Sequence, residues 1–189
     1  VQGALIVPFD ETSKKYYLFH EELCAPIVKP NKLFYTVIDM ALDSGRGAVI
    51  LKRQPLFYDT LDYGQITACR HANGRDWWIV VFEHNTDLIY VYLLTPSGVS
   101  LNNQQNLGIT PNVLLGGQKT FSPDGRKFAH LYYDGITGAV NNYIRIFDFN
   151  RCTGQFSNKI EITYLEVEGG VGVAFSSDSR KLYFDTFHK

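Results

Sequence analysis

Apolar and aromatic residues in this chain come in short runs, and Gly, Pro, Asn, Asp and Ser cut between them. Such runs, bounded by turn residues, read as β-strands rather than helices. Tyr143-Ile144-Arg145-Ile146-Phe147-Asp148-Phe149 is one strand, and Lys127 to Tyr133 is another. Between such strands stand Asn73-Gly74, Pro96-Ser97-Gly98 and Pro123-Asp124-Gly125. Asp and Gly tolerate the φ values of a tight hairpin, and Pro pre-sets its entry.

The pattern repeats. Phe121-Ser122-Pro123-Asp124-Gly125-Arg126-Lys127 returns 54 residues later as Phe175-Ser176-Ser177-Asp178-Ser179-Arg180-Lys181, with a looser copy around Asn73-Gly74 and Trp77-Trp78-Ile79-Val80. Val37-Ile38-Asp39-Met40 matches Ile146-Phe147-Asp148-Phe149 at 109 residues, close to two periods, and Gly45 matches Gly154 at the same offset. A period of this size with strands and turns inside each unit predicts a β-propeller of four-stranded antiparallel blades.

The units span about 4–56, 65–108, 116–166 and 170–189. The first unit's strands are expected at Ala4–Phe9, Lys15–His20 and Leu33–Met40, with polar connections at Pro26–Asn31 and Gln54–Tyr63. The second has Gln65–Arg70, Trp77–Glu83 and Leu88–Thr95 before its last strand; the fourth has only Gly172–Ser176 and Lys181–Thr186. The count is about three and a half blades, an incomplete ring. The missing strands would come from a longer parent protein or from a second copy, two copies making seven blades. Val37, Ile38, Val91, Phe121, Ile146, Val173 and Phe175 are the expected core.

Composition narrows the classes. The 189 residues are 45% hydrophobic and 20% charged, as in soluble globular proteins, with twelve Tyr and thirteen Phe suited to strands. A formal net charge of −1 gives no basic surplus for nucleic acid. No run of apolar residues is long enough to span a membrane. Cys24, Cys69 and Cys152 fit neither a zinc site nor a disulfide framework, and Cys69 and Cys152, in or beside strands, read as buried free thiols. Val1-Gln2-Gly3 suggests a piece cut from a longer chain.

The richest chemical cluster is Arg70-His71-Ala72-Asn73-Gly74-Arg75-Asp76-Trp77-Trp78. Arg70, His71, Arg75, Trp77 and Trp78 are the candidate ligand-binding residues, because aromatic faces stack on sugars and Arg pairs with carboxylates. The alternative is a purely structural hairpin, with the two Trp side chains on opposite faces. His20-Glu21-Glu22 reads as a solvated strand end, and His84, His130 and His188 show no metal-ligand spacing. Asp43-Ser44-Gly45-Arg46-Gly47 lacks the ligand series of a calcium loop. Gly169-Gly170-Val171-Gly172 precedes a strand, not the helix of a phosphate loop. There is no Gly-x-Ser-x-Gly nucleophile elbow, and Ser122, Ser176 and Ser177 lie in repeat turns. No cofactor and no metal is expected.

The Phe-Ser-Pro-Asp-Gly-x-Lys pattern resembles the repeats of TolB-like propellers and of the non-catalytic domains of prolyl oligopeptidases. A longer resemblance runs through Tyr35-Thr36-Val37-Ile38-Asp39-Met40-Ala41-Leu42, Thr67-Ala68-Cys69-Arg70-His71-Ala72-Asn73-Gly74, Tyr90-Val91-Tyr92-Leu93-Leu94-Thr95-Pro96 and Phe147-Asp148-Phe149-Asn150. It is similar to the propeller region of secreted Bacteroidetes proteins that carry gliding-motility-associated or type IX secretion domains. That resemblance implies secretion or cell-surface display, and it brings no catalytic residues. The expectation is therefore a non-enzymatic module presenting loops to a protein or glycan, able to self-associate through its open edges. The alternative is a propeller accessory to a hydrolase, or one with a site on its axis.

Overall fold

The computed structural model describes residues 3–9, 12–23, 30–61, 66–108, 116–134, 140–166, 169–170 and 172–185. These form three four-stranded antiparallel sheets and a two-stranded hairpin, each sheet built from consecutive strands. The first sheet holds β1 (Ala4–Pro8), β2 (Lys15–Leu23), β3 (Pro30–Asp39) and β4 (Ala48–Phe57). The second holds β5 (Thr67–Arg70), β6 (Trp77–Phe82), β7 (Leu88–Thr95) and β8 (Gly98–Asn106). The third holds β9 (Gly116–Phe121), β10 (Lys127–Asp134), β11 (Val140–Asn150) and β12 (Gln155–Glu166). The hairpin is β13 (Val173–Phe175) and β14 (Leu182–Phe184).

First strands of successive sheets touch each other, β5 against β9 and β9 against β13. The fourth strands β4 and β12 are largely exposed. First strands therefore lie inward and last strands outward, which is the radial plan of a propeller-like fold. The sheets pack face to face through three apolar layers. Phe19, Leu33 and Val37 meet Ile79, Val81, Tyr92 and Leu94 between the first two sheets. Trp78, Val80, Phe82 and Val91 meet Phe121, Phe128 and Phe147 between the second and third. Ala129, Leu131 and Ile144 meet Val173 at the hairpin. A sheet buried on both faces needs apolar side chains at both alternations, which accounts for Trp77-Trp78-Ile79-Val80-Val81-Phe82.

The repeated turn has a physical cause. In the third sheet the Ser122 hydroxyl donates to Asp124 Oδ1 (2.6 Å) and accepts the Lys127 N–H (2.9 Å), while Asp124 Oδ1 accepts the Arg126 N–H (3.0 Å). Ser176, Asp178, Arg180 and Lys181 repeat these bonds at 2.6, 2.9 and 3.1 Å. Ser and Asp thus recur because they satisfy the backbone of a hairpin end. Gly125, at φ +70°, takes the left-handed position; Ser179 takes it in the hairpin at φ +62°. Ser179 gains something there, since its hydroxyl accepts the Asp124 N–H (3.1 Å) and ties the hairpin to the third sheet.

Several boundaries differ from expectation. Gln54 to Phe57 belongs to β4, with Gln54 opposite Tyr35 and Phe57 opposite Leu33. An outermost strand needs no buried face, so Lys52-Arg53-Gln54 shows no alternation to read. Pro30 and Asn31 likewise belong to β3. Val37, Val91, Phe121 and Val173 are buried as expected, and so is Cys69, whereas Cys152 is exposed because it stands in the turn between β11 and β12 rather than in a strand. Ile38 is only half-buried, because its face of the first sheet meets no other described sheet. Ile146 is half-buried because the short hairpin covers it incompletely, and Phe175, on the hairpin's own β13, is half-buried as well. The expected strand ends Gln65 and Thr186, together with Cys24 and His188, lie outside the described residues.

Candidate functional site

The 70–78 cluster is the second sheet's copy of the repeated turn. The His71 N–H donates to Asp76 O (2.8 Å), as Ser122 does to Lys127 and Ser176 to Lys181. His71 stands where the other repeats place Ser, and its Nδ1 accepts the Asn73 N–H (3.0 Å). Asn73 Oδ1 accepts the Arg75 and Asp76 N–H groups at 3.1 and 3.0 Å. Arg75 donates through Nε to Asp76 Oδ1 (2.7 Å). That hydrogen bond first, then the Asn73 amide, holds the Asp76 carboxyl below its usual range despite burial. His71, Arg75 and Asp76 are thus occupied in building the turn.

The two tryptophans diverge. Trp78 is buried between the second and third sheets, at 1% exposure, and its Nε1 donates to Arg151 O (2.8 Å). Trp77 packs on the side of the first sheet, with the Arg70 guanidinium 4.7 Å over its ring. Arg151, in the turn between β11 and β12, was not singled out by sequence. It donates to Arg70 O (2.8 Å), Asp124 O (3.0 Å) and His71 O (3.1 Å), joining the turns of two sheets. A single arginine in a turn has no sequence signature of such a role.

Arg70, Trp77 and Arg151 border an open pocket of about 440 Å³. Its other walls are Thr67, Ala68 and Cys69 of β5, and Thr120, Phe121, Ser122 and Pro123 of β9 and its turn. The pocket thus lies between the inward strands β5 and β9 and the turn that follows β9. Arg151 commits three of its five N–H donors to backbone carbonyls. Arg70 donates to Gly74 O (2.7 Å) through one nitrogen and so keeps more donors for a ligand. The Cys69 thiol is pushed up to about 12 by burial, partly opposed by Arg151, so it is no thiolate nucleophile near neutral pH.

A second cluster lies inside the blades. Lys119 of β9, His130 of β10, Arg145 of β11 and Glu161 of β12 are directly paired across the third sheet. Directly opposed residues share a face, and this one turns toward the second sheet. Lys119 Nζ lies 4.1 Å over the Phe82 ring, and the His130 ring is 5.8 Å from it. The Arg145 guanidinium lies 4.0 Å over Tyr132, donates to its hydroxyl, and donates through Nε to Glu161 (2.5 Å). Lys119, His130 and Arg145 are all buried. Burial first, then Lys119 and Arg145, holds the His130 imidazole well below its ordinary pKa, hence neutral at pH 7. A search for metal-ligand spacing passes over this row. The available signal was charge at inward positions where the neighbouring unit, aligned on its turn, has Ala68, Ile79, Tyr92 and Leu101.

The remaining candidates are local. His20 stacks on Phe34 with ring centroids 5.7 Å apart, and Glu22 pairs with Arg53 and with Lys32. Asp43 sits in a 3-10 turn and pairs with Arg46 (2.9 Å). Gly172 donates its N–H to Asp185 Oδ1 (2.8 Å), and Gly170 donates to Asn142 Oδ1 (2.7 Å).

No protein-family model matches this sequence, and no curated protein matches it. Solved structures do resemble it in fold. A Bacteroides fragilis protein described as a "putative 6-phosphogluconolactonase" aligns with 95% of this chain and 46% of its own length, at TM-score 0.56 and 9% identity. A Bacteroides uniformis protein described in the same words covers 97% of the chain and 64% of its own, at TM-score 0.43 and 15% identity. The chain thus spans about half the length of the Bacteroides fragilis structure. The Bacteroides fragilis structure corrects the expectation of a non-enzymatic scaffold. The fold is shared with a protein described as an enzyme, so a propeller-like architecture does not mark this chain as a passive display module.

Proposed function

We propose that this chain forms about three and a half blades of a lactonase-type propeller, which takes a sugar-acid lactone at the pocket between β5 and β9. The observation that carries this reading is Arg70, held over Trp77 at the rim of that pocket. The description of the Bacteroides fragilis structure supports the reaction class. A pocket of a few hundred Å³ suits a ligand of one sugar ring.

The chemistry asked of the pocket is modest. A sugar-acid lactone is a cyclic ester, and water adds to its carbonyl carbon. The ring C–O bond then breaks to leave a hydroxyl and a carboxylate. Arg70 hydrogen-bonds the carbonyl oxygen as it gains negative charge, and then pairs with the carboxylate product. Thr67 and Thr120 offer hydroxyls to the sugar. Cys69, protonated, takes no covalent part.

The test is ring opening of glucono-δ-lactone and its 6-phosphate by the whole chain, followed by NMR against the buffer rate. The reading requires a rate above buffer that falls at least about tenfold in Arg70→Ala, the loss of one charged hydrogen bond. A rate equal to buffer for both lactones overturns it.

A further inference from the structure

The row Lys119–His130–Arg145–Glu161 is expensive to build. Burying cations is costly unless their surroundings compensate. The turn-aligned positions of the second sheet are apolar or aromatic, Ala68, Ile79, Tyr92 and Leu101, and those of the first strands elsewhere are Ile6 and Val173. Packing alone does not require charge at this level of a blade. Within the row, Glu161 is the one carboxylate. It stands on the outermost strand and is bonded to Arg145. The inner part of the row is thus cationic around a neutral imidazole.

One atom of the imidazole is left over. His130 Nδ1 is buried, on a side chain that is itself more than nine-tenths buried, and no described group hydrogen-bonds it. A buried polar atom without a partner is uncommon and calls for an unseen one. The groups around it define the chemistry of that partner. Lys119 and Arg145 flank the ring from β9 and β11, Phe82 faces it from β6, and Tyr132 stands two residues along β10 with its ring 5.4 Å away. No carboxylate directly opposes His130.

We propose that His130, between Lys119 and Arg145, binds a compact oxyanion, the phosphate or carboxylate group of a small ligand. Nδ1–H donates to an anion oxygen, and the flanking cations supply the charge. Arg145 is preoriented for this by Tyr132 and Glu161. The anion's charge stabilises the imidazolium, so binding draws a proton onto the ring. The inference is independent of the lactone reading, because His130 and Arg145 do not line the pocket between β5 and β9.

The test is histidine-resolved NMR of the whole chain, titrated with sodium phosphate or sodium acetate against chloride at matched ionic strength. A saturable shift of the His130 resonances, with its pKa raised by about one unit or more, supports the site. A response to phosphate alone identifies a phosphate group, and a response to acetate identifies a carboxylate. His130→Phe, which keeps a ring against Phe82, removes the anion-linked proton uptake, and Lys119→Met weakens binding at least about tenfold. His130 resonances that respond to neither anion beyond chloride overturn the proposal and leave a buried water as the partner. Wild-type protein alone decides this if a variant does not fold.

Discussion

The Trp78 indole N–H donates to the Arg151 carbonyl at 2.8 Å, across 73 residues of sequence and from one sheet to the next. The Ala72 N–H donates to the same oxygen (3.1 Å), and the Arg151 side chain answers with its bonds to Arg70 and His71. Two neighbouring turns are thereby locked in both directions. Gly154, at φ +73°, lets the β11–β12 turn approach so closely that a Cβ there would lie 2.9 Å from the Trp78 ring.

Trp78→Phe is expected to cost about 1–3 kcal/mol, because it removes one donor and part of a buried ring. Gly154→Ala is expected to cost about 1–3 kcal/mol through overpacking, with the backbone conformation adding to it. Urea melts measure both. A change under about 0.5 kcal/mol in both variants would contradict this packing.

Arg151→Lys is expected to destabilise nearly as much as Arg151→Ala, about 1–3 kcal/mol in each case. Lysine keeps the charge but cannot reach three carbonyls in a planar fork. Equal stability of the lysine variant and the wild type would show that charge, not geometry, holds the turns.

Acid should weaken the molecule in two stages. The folded pKa of His130 is lowered, so the unfolded chain binds more protons once the pH falls below about 6.5. Its contribution is complete above that pH and declines as the pH falls toward the folded value. Asp76, also lowered, contributes above the unfolded carboxylate range and loses that contribution below about pH 4. Thermal melts in phosphate-free buffer should show a falling Tm from pH 7.5 to 5, flattened in His130→Phe. An unchanged slope in that variant would rule out His130 as the source.

The open edges make a further prediction, that a second copy of this chain pairs with them. β14 has only β13 beside it among the described strands, and Tyr183 and Phe184 are exposed there. At the other end Ile6 and Tyr16 face outward from the first sheet. Unpaired strand edges recruit partners. Light scattering at micromolar concentration should therefore give a dimer, weakened by Phe184→Lys. A monomer at every concentration would contradict it.

How far the sequence could be read follows from what each element must do. The Ser-x-Asp turns were legible because a hairpin end needs those side chains, wherever it lies. Strands β6 and β7 were legible because buried strands carry long apolar runs. β4 was not, because an outer strand such as Lys52-Arg53-Gln54 is under no demand for alternation. In the candidate site, Arg70 and Trp77 were visible as a local cluster, and strand alternation sends the chain neighbour Trp78 to the opposite face. Lys119, His130 and Arg145 lie far apart in sequence and meet only through strand register. Arg151 acts through backbone carbonyls, which leave no trace in side-chain patterns.

The central claim is a ligand at the Arg70–Trp77 rim, and tryptophan emission tests it most directly. The chain has only Trp77 and Trp78, and Arg70 lies over one of them. Titration with gluconate and 6-phosphogluconate, the ring-opened acids, should produce a saturable change in emission as Arg70 engages the carboxylate. That change should vanish in Trp77→Phe and in Arg70→Ala but persist in Trp78→Phe. Emission that stays constant with both acids in the folded wild-type protein would contradict the account.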